Sequence, residues 1–186
     1  MCAAKQGSEI SIRTAEQKDA GAILECLRIA FAPFEASYTA DAFLDTVLTE
    51  ATLAQRMAAM SVWLAVDSTG AVVGTLAGGL IGKEEGHLRG MAVLPSWQGR
   101  GVAEKLLRAV EEDLERSGCS IVTLDTTAPL ARARRFYEKH GFRLTGKVRD
   151  LFGMPLAEHA KVLIGKESKT TRRKVARRGS TRRGDS

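Results

Sequence analysis

The chain reads as an α/β protein, a mixed and mostly antiparallel sheet flanked by helices, and three stretches carry that reading. Residues 61–94 hold three apolar or β-branched runs separated by short turns, the pattern of strands joined by hairpins. Residues 87–126 run strand, amphipathic helix, strand, a path that returns the second strand parallel to the first. Residues 142–164 supply two more runs around Gly153, a closing hairpin.

The elements follow in order. Ser8 to Arg13 alternates through Ile10 and Ile12, the period of a half-buried strand. Thr14, with Gln17 three residues on, is expected to cap a helix whose apolar face is Ile23, Cys26, Leu27 and Phe31 and which Pro33 ends. A second helix is expected from Thr39 to Ala59 with Phe43, Val47, Leu48, Leu53 and Met57 on its apolar face. Ser61–Val66 and Ala71–Ile81 are strands joined by Asp67–Gly70, and the turn Gly82–Gly86 leads to a strand over His87–Leu94. Gly101–Ser117 is a helix with Val102, Leu106, Leu107, Val110 and Leu114 in one stripe and Gly118 as its C-cap. Ile121–Thr126 reads as a buried strand, Pro129 as the first turn of the next helix and Gly141 as its end. Phe142–Phe152 and Ala157–Ile164 close the sheet.

With 186 residues and 44% hydrophobic content, the chain is long enough for one domain with a buried core. Its net charge of +6 is uneven, because residues 166–186 carry nine Lys/Arg against Glu167 and Asp185. The sequence thus divides into an N-terminal extension (1–7), a domain (8–165) and a basic tail (166–186) too polar and too like-charged to fold. The N-terminus is polar and no apolar run reaches a membrane-spanning length of about 18 residues, so a cytoplasmic location is the default expectation. Cys2, Cys26 and Cys119 are an odd number at wide spacings and read as reduced thiols, with no metal site.

The segment Val93-Leu94-Pro95-Ser96-Trp97-Gln98-Gly99-Arg100-Gly101-Val102-Ala103 leaves a strand at a proline and enters a helix through two glycines. Glycines remove the Cβ atoms that would hold a ligand off the backbone, and a helix start offers unpaired N–H groups and a positive dipole end. Such a turn suits a pyrophosphate. Farther along stands Ala133-Arg134-Arg135-Phe136-Tyr137-Glu138-Lys139-His140-Gly141-Phe142. The two motifs in this order resemble the GNAT superfamily of N-acyltransferases, over residues 8–165.

The resemblance implies a GNAT-like fold, acetyl-CoA as acyl donor and a primary amine as acceptor, with direct attack and no metal. It places the donor's pyrophosphate on Gln98, Gly99, Arg100, Gly101, Val102 and Ala103, and its pantetheine arm along the backbone of Met91, Ala92 and Val93. Met91 and Val93 also read as inward-packing residues, and Arg100 as a solvated surface arginine. Tyr137 is the candidate general acid, since a phenol with a pKa near 10 keeps its proton at about pH 7 and can pass it to a departing thiolate. It also reads as a packing residue with a polar handle. The general base is open among Glu84, Glu85, His87 and water. The family's usual asparagine three residues before the motif alanine is Leu130 here, which cannot make its hydrogen bonds and shifts cofactor binding toward backbone amides.

The acceptor amine (small metabolite, peptide N-terminus or lysine) is not encoded in any motif. Phe31, Phe34, Glu35, Tyr38 and Asp41 lie in the stretch where the resemblance places substrate choice. A competing reading is a non-catalytic CoA-binding module whose tail binds nucleic acid or another polyanion through its phosphates, weakly and without sequence preference. A homodimer stays open as well.

Overall fold

The computed structural model describes residues 9–163, so the extension at 1–7, Cys2 and the basic tail at 166–186 lie outside the described residues. Seven strands form one sheet: β1 (Ser11–Thr14), β2 (Ser61–Val66), β3 (Val72–Leu80), β4 (Glu85–Val93), β5 (Ile121–Thr127), β6 (Arg143–Leu151) and β7 (Met154–Val162). Their spatial order is β1-β2-β3-β4-β5-β7-β6, so the last strand inserts between β5 and β6. Every pairing is antiparallel except β4 with β5, the expected parallel return.

Helices α1 (Ala20–Phe31), α2 (Ala40–Val47) and α3 (Glu50–Ala59) cover one face of the sheet, while α4 (Val102–Arg116) and α5 (Ala131–Lys139) cover the other. The alternation of β2 explains the two cores. Val62, Leu64 and Val66 meet Ile23, Leu27 and Leu53 on the first face, and Trp63 and Ala65 meet Leu106 and Val110 on the second. No helix among the described residues is long and apolar enough to cross a membrane.

Three expectations fail for local reasons. Thr14 does not cap a helix: it stays in β1, paired with Trp63, and the chain enters α1 through a 3₁₀ turn at Gln17–Asp19. Asp19 organises that turn, accepting from the Glu16 N–H at 2.8 Å and from both Arg13 terminal nitrogens at 2.7 and 2.8 Å. The Arg13 bonds hold its carboxyl down at about 2. A carboxylate depressed on folding stabilises above its unfolded value near 3.9 and loses that contribution as pH falls toward 2. The urea midpoint of the wild type should therefore drop between about pH 4 and 2, and the Asp19→Asn variant should show a shallower fall across that window.

The helix expected over Thr39–Ala59 is two helices. Leu48 takes φ 64° and ψ 160°, and Thr49 starts α3 with a reciprocal box in which Thr49 and Thr52 bond each other's backbone N–H. The threonine at the third helical position supplied a stop and a restart that the apolar spacing hid. The closing hairpin turns at Phe152-Gly153, with φ values of 48° and 85°, one step earlier than the Gly153-Met154-Pro155 turn expected.

Candidate active site

The parallel pairing of β4 and β5 is short, running only from Glu85↔Ile121 to Leu88↔Leu124. Beyond it β4 bulges against β3: Thr75 faces Ala92 and Ala77 faces Arg89, which leaves Gly90 and Met91 opposite Leu76 alone. Gly90 takes φ 66°, a conformation that suits glycine, and the bulge turns Met91, Ala92 and Val93 away from β5. A cleft through the sheet results. The Val93 carbonyl accepts from Gln98 Nε2 at 3.0 Å.

The turn after β4 ends in two left-handed glycines, Gly99 at φ 76° and Gly101 at φ 77°, and no atom stands within 4 Å of where a Cβ would sit on either. Gly101 is the N-cap of α4, and the first bond back to it comes from Lys105 N–H at 3.1 Å. The peptide N–H groups of Val102 and Ala103 therefore have no partner inside the helix. The Val102 side chain is buried beneath the turn, which anchors the start of α4. Arg100 lies over Trp97, 5.1 Å from the ring centroid, which keeps a cation beside the glycines. Gln98 Oε1 accepts from Arg132 Nη1 at 2.7 Å, a second cation at the turn that the sequence reading missed.

A cavity of about 130 Å³ passes through the cleft. His87, Arg89 and Asp125 line it from one face, Leu124 and Tyr137 from the other, which two faces of one sheet can do only where strands part. Tyr137 is buried, stacked edge-on between Phe136 and Phe142 at ring distances of 5.3 and 5.5 Å. Burial alone pushes its phenol above the ordinary value. Leu130 lines the cavity as an apolar wall.

Of the three candidate bases only His87 lines the cavity. Glu84 accepts from Ser120 Oγ at 3.1 Å, and Glu85 accepts from Thr123 Oγ1 at 3.3 Å. Thr123 has one hydroxyl proton, directed to Glu85 or to the Gly86 carbonyl at 3.2 Å, so its oxygen accepts from His87 Nδ1–H at 2.9 Å. That network assigns the free lone pair to His87 Nε2, which lies 3.7 Å from Asp125 Oδ2. Burial lowers the His87 pKa below its usual 6.5, opposed by the Asp125 carboxylate and assisted by the charges of Arg89 and Arg149. His87 is thus a neutral acceptor at pH 7. Asp125 Oδ2 is also held by Arg149, while its buried Oδ1 has no partner.

Asp125, Arg149, Asp45 and Arg56 were not singled out from the sequence. Asp125 left one visible signal, a carboxylate inside the buried run Ile121–Thr126. Of the residues flagged for acceptor choice, Phe31 and Tyr38 line the cavity and Glu35 and Asp41 do not. Cys26 and Cys119 are buried free thiols, Cys26 pushed up to about 12 by burial, which makes it a poor nucleophile. Among the described residues no group of His, Cys, Asp and Glu has a metal-binding arrangement.

A family model described as "Acetyltransferase (GNAT) family" matches residues 23–142. A mouse (Mus musculus) protein named probable N-acetyltransferase family 8 member 5 is 33% identical over 114 residues, covering 58% of this chain and 49% of that protein, so the chain spans about half the length of this curated relative. Among solved structures, an acetyltransferase of the GNAT family from Staphylococcus aureus aligns with a TM-score of 0.70 at 19% identity, over 84% of this chain and 100% of that one. The PaiA N-acetyltransferase of Thermoplasma acidophilum, solved in complex with coenzyme A, aligns with a TM-score of 0.69 at 18% identity, over 83% of this chain and 99% of that one. At these identities the structural likeness concerns the fold.

Proposed function

Because the chain belongs to the GNAT family of acetyltransferases, we propose that it transfers the acetyl group of acetyl-CoA to a primary amine by direct attack. The observation that carries this reading is the joining of one cleft to one cradle: β4 parts from β5 and runs directly into the open, left-handed glycines at the head of α4. The residues fit the donor. The N–H groups of Val102 and Ala103, with the backbone at Gly99 and Gly101, would hold its pyrophosphate, and Gln98 serves by bracing the turn to Val93 and Arg132. Arg100 adds charge beside them. The backbone of Met91, Ala92 and Val93 would take the pantetheine arm.

When bound, the donor supplies an acetyl thioester. His87 Nε2 takes a proton from the incoming ammonium, directly or through water, and Asp125 stabilises the imidazolium so formed. Tyr137 holds a proton on its hydroxyl at the other wall of the cleft and gives it to the departing sulfur as the N–C bond forms and the C–S bond breaks, and the second proton shed by the new amide nitrogen restores the phenol.

Calorimetry with acetyl-CoA, followed by CoA release across an amine panel, tests the reading. Gly101→Ala puts a side chain on a left-handed residue, a strain of about 1–2 kcal/mol, and a methyl group into the cradle, and should weaken acetyl-CoA binding about tenfold or more. Gly70→Ala carries the same kind of strain at φ 89° in the β2–β3 turn and should leave binding unchanged. Equal weakening in both variants, or binding without CoA release on any amine, contradicts the proposal.

A further inference from the structure

The cavity is lined by a carboxylate and a guanidinium that each keep hydrogen-bonding capacity the fold does not use. On β5, Asp125 is paired with Arg149 through Oδ2, while its buried Oδ1 has no partner. On α3, Arg56 lines the same cavity and has no carboxylate within salt-bridge distance among the described residues. The carboxylate nearest in role, Asp45, is already paired with Arg89 at 3.2 Å. Arg56 lies against the β4 bulge, its Nη1 only 2.8 Å from where a Cβ on Gly90 would stand. Burial, then the like charge of Arg89, pushes the guanidinium down to about 10 against the opposing pull of the Asp45 carboxylate, so the site disfavours a cation that has no closer counter-ion.

We propose that the acceptor is a small zwitterion, an α-amino acid, whose amine meets Asp125 and His87 and whose carboxylate meets Arg56. This rests on the acetyl-transfer reading above and names its substrate class. At about 130 Å³ the cavity is well below the roughly 300 Å³ at which drug-sized pockets begin, which fits a free amino acid. A peptide N-terminus offers a neutral amide in place of the carboxylate and leaves Arg56 unmet. A lysine side chain brings no anion near its amine. Acetylation abolishes the positive charge, so the product keeps only its contact with Arg56 and loses the attraction of Asp125, which favours its release.

The test measures kcat and KM with acetyl-CoA for leucine, leucinamide and 3-methylbutylamine, which share a side chain and differ in the group beside the amine. Leucinamide has the less basic amine and is the better nucleophile at neutral pH, so any preference for leucine reports the carboxylate. The wild type should favour leucine about 10–100-fold in kcat/KM, as expected for one charge-assisted contact. Arg56→Gln should bring leucine to the level of the amide through KM, with acetyl-CoA affinity retained, and Arg56→Lys should recover part of the preference. Acetylation of leucinamide or the plain amine as well as leucine, or an intact preference in Arg56→Gln, overturns the assignment and leaves acetyl transfer standing. No CoA release with any of the three overturns both.

Discussion

Replacing Tyr137 by phenylalanine should lower turnover by about 10²–10⁴-fold, the usual worth of a general acid, while acetyl-CoA affinity stays nearly constant. The substitution removes one oxygen and preserves the ring that packs on Phe136 and Phe142, so the helix and the core beneath it keep their contacts. Burial raises the phenol pKa, which keeps the proton in place at pH 7, and the same dry surroundings raise the proton affinity of a sulfur leaving within the cleft. Donor and acceptor therefore shift together. Steady-state CoA release and calorimetry on the same preparation give the answer, and turnover equal to wild type at an unchanged melting temperature would assign Tyr137 to packing alone.

His87→Gln should lose about 10²–10⁴-fold in kcat/KM at neutral pH by removing the proposed acceptor of the amine proton. Two neighbouring variants separate a base from a merely structural histidine, because they move its titration in opposite directions. The wild-type rate should fall with acid only below about 6.5, as the depressed imidazole protonates. Asp125→Asn removes the carboxylate that favours the imidazolium, so the acid limb of the pH profile moves lower. Arg149→Gln removes a cation that disfavours it, and the limb moves higher. Shifts of the same sign in both variants, or none, would exclude His87 as the titrating group.

Much of the fold was legible because the signals were local. Hairpin turns, the stripe of α4 and the left-handed residues Gly118 and Gly141 at the ends of α4 and α5 are each written within a few residues. The left-handed glycine turn before α4 was legible for the same reason. The insertion of β7 between β5 and β6 was not, since strand order depends on which edges are free after the chain has folded. The charged walls of the cavity were hidden for a related reason: Asp45, Arg56 and Asp125, with the Arg149 that pairs with Asp125, come from four separate elements, and each alone looks like an ordinary solvated residue. Even Asp125 becomes informative only when its buried oxygen is found without a donor.

The joint at Leu48 has a bearing on how acceptor choice can change. On one straight helix Asp45 and Arg56, eleven positions apart, would stand about 16 Å from each other along the axis. The positive-φ residue breaks the helix there, at a strain of about 1–3 kcal/mol, and both side chains line one cavity. His87, Asp125 and Tyr137 belong to the sheet and to α5, on the far side of that elbow. On the proposed reading, altering the length of the elbow would retune which molecules dock while leaving the proposed proton-handling groups in place, so new appetites could evolve without dismantling the reaction.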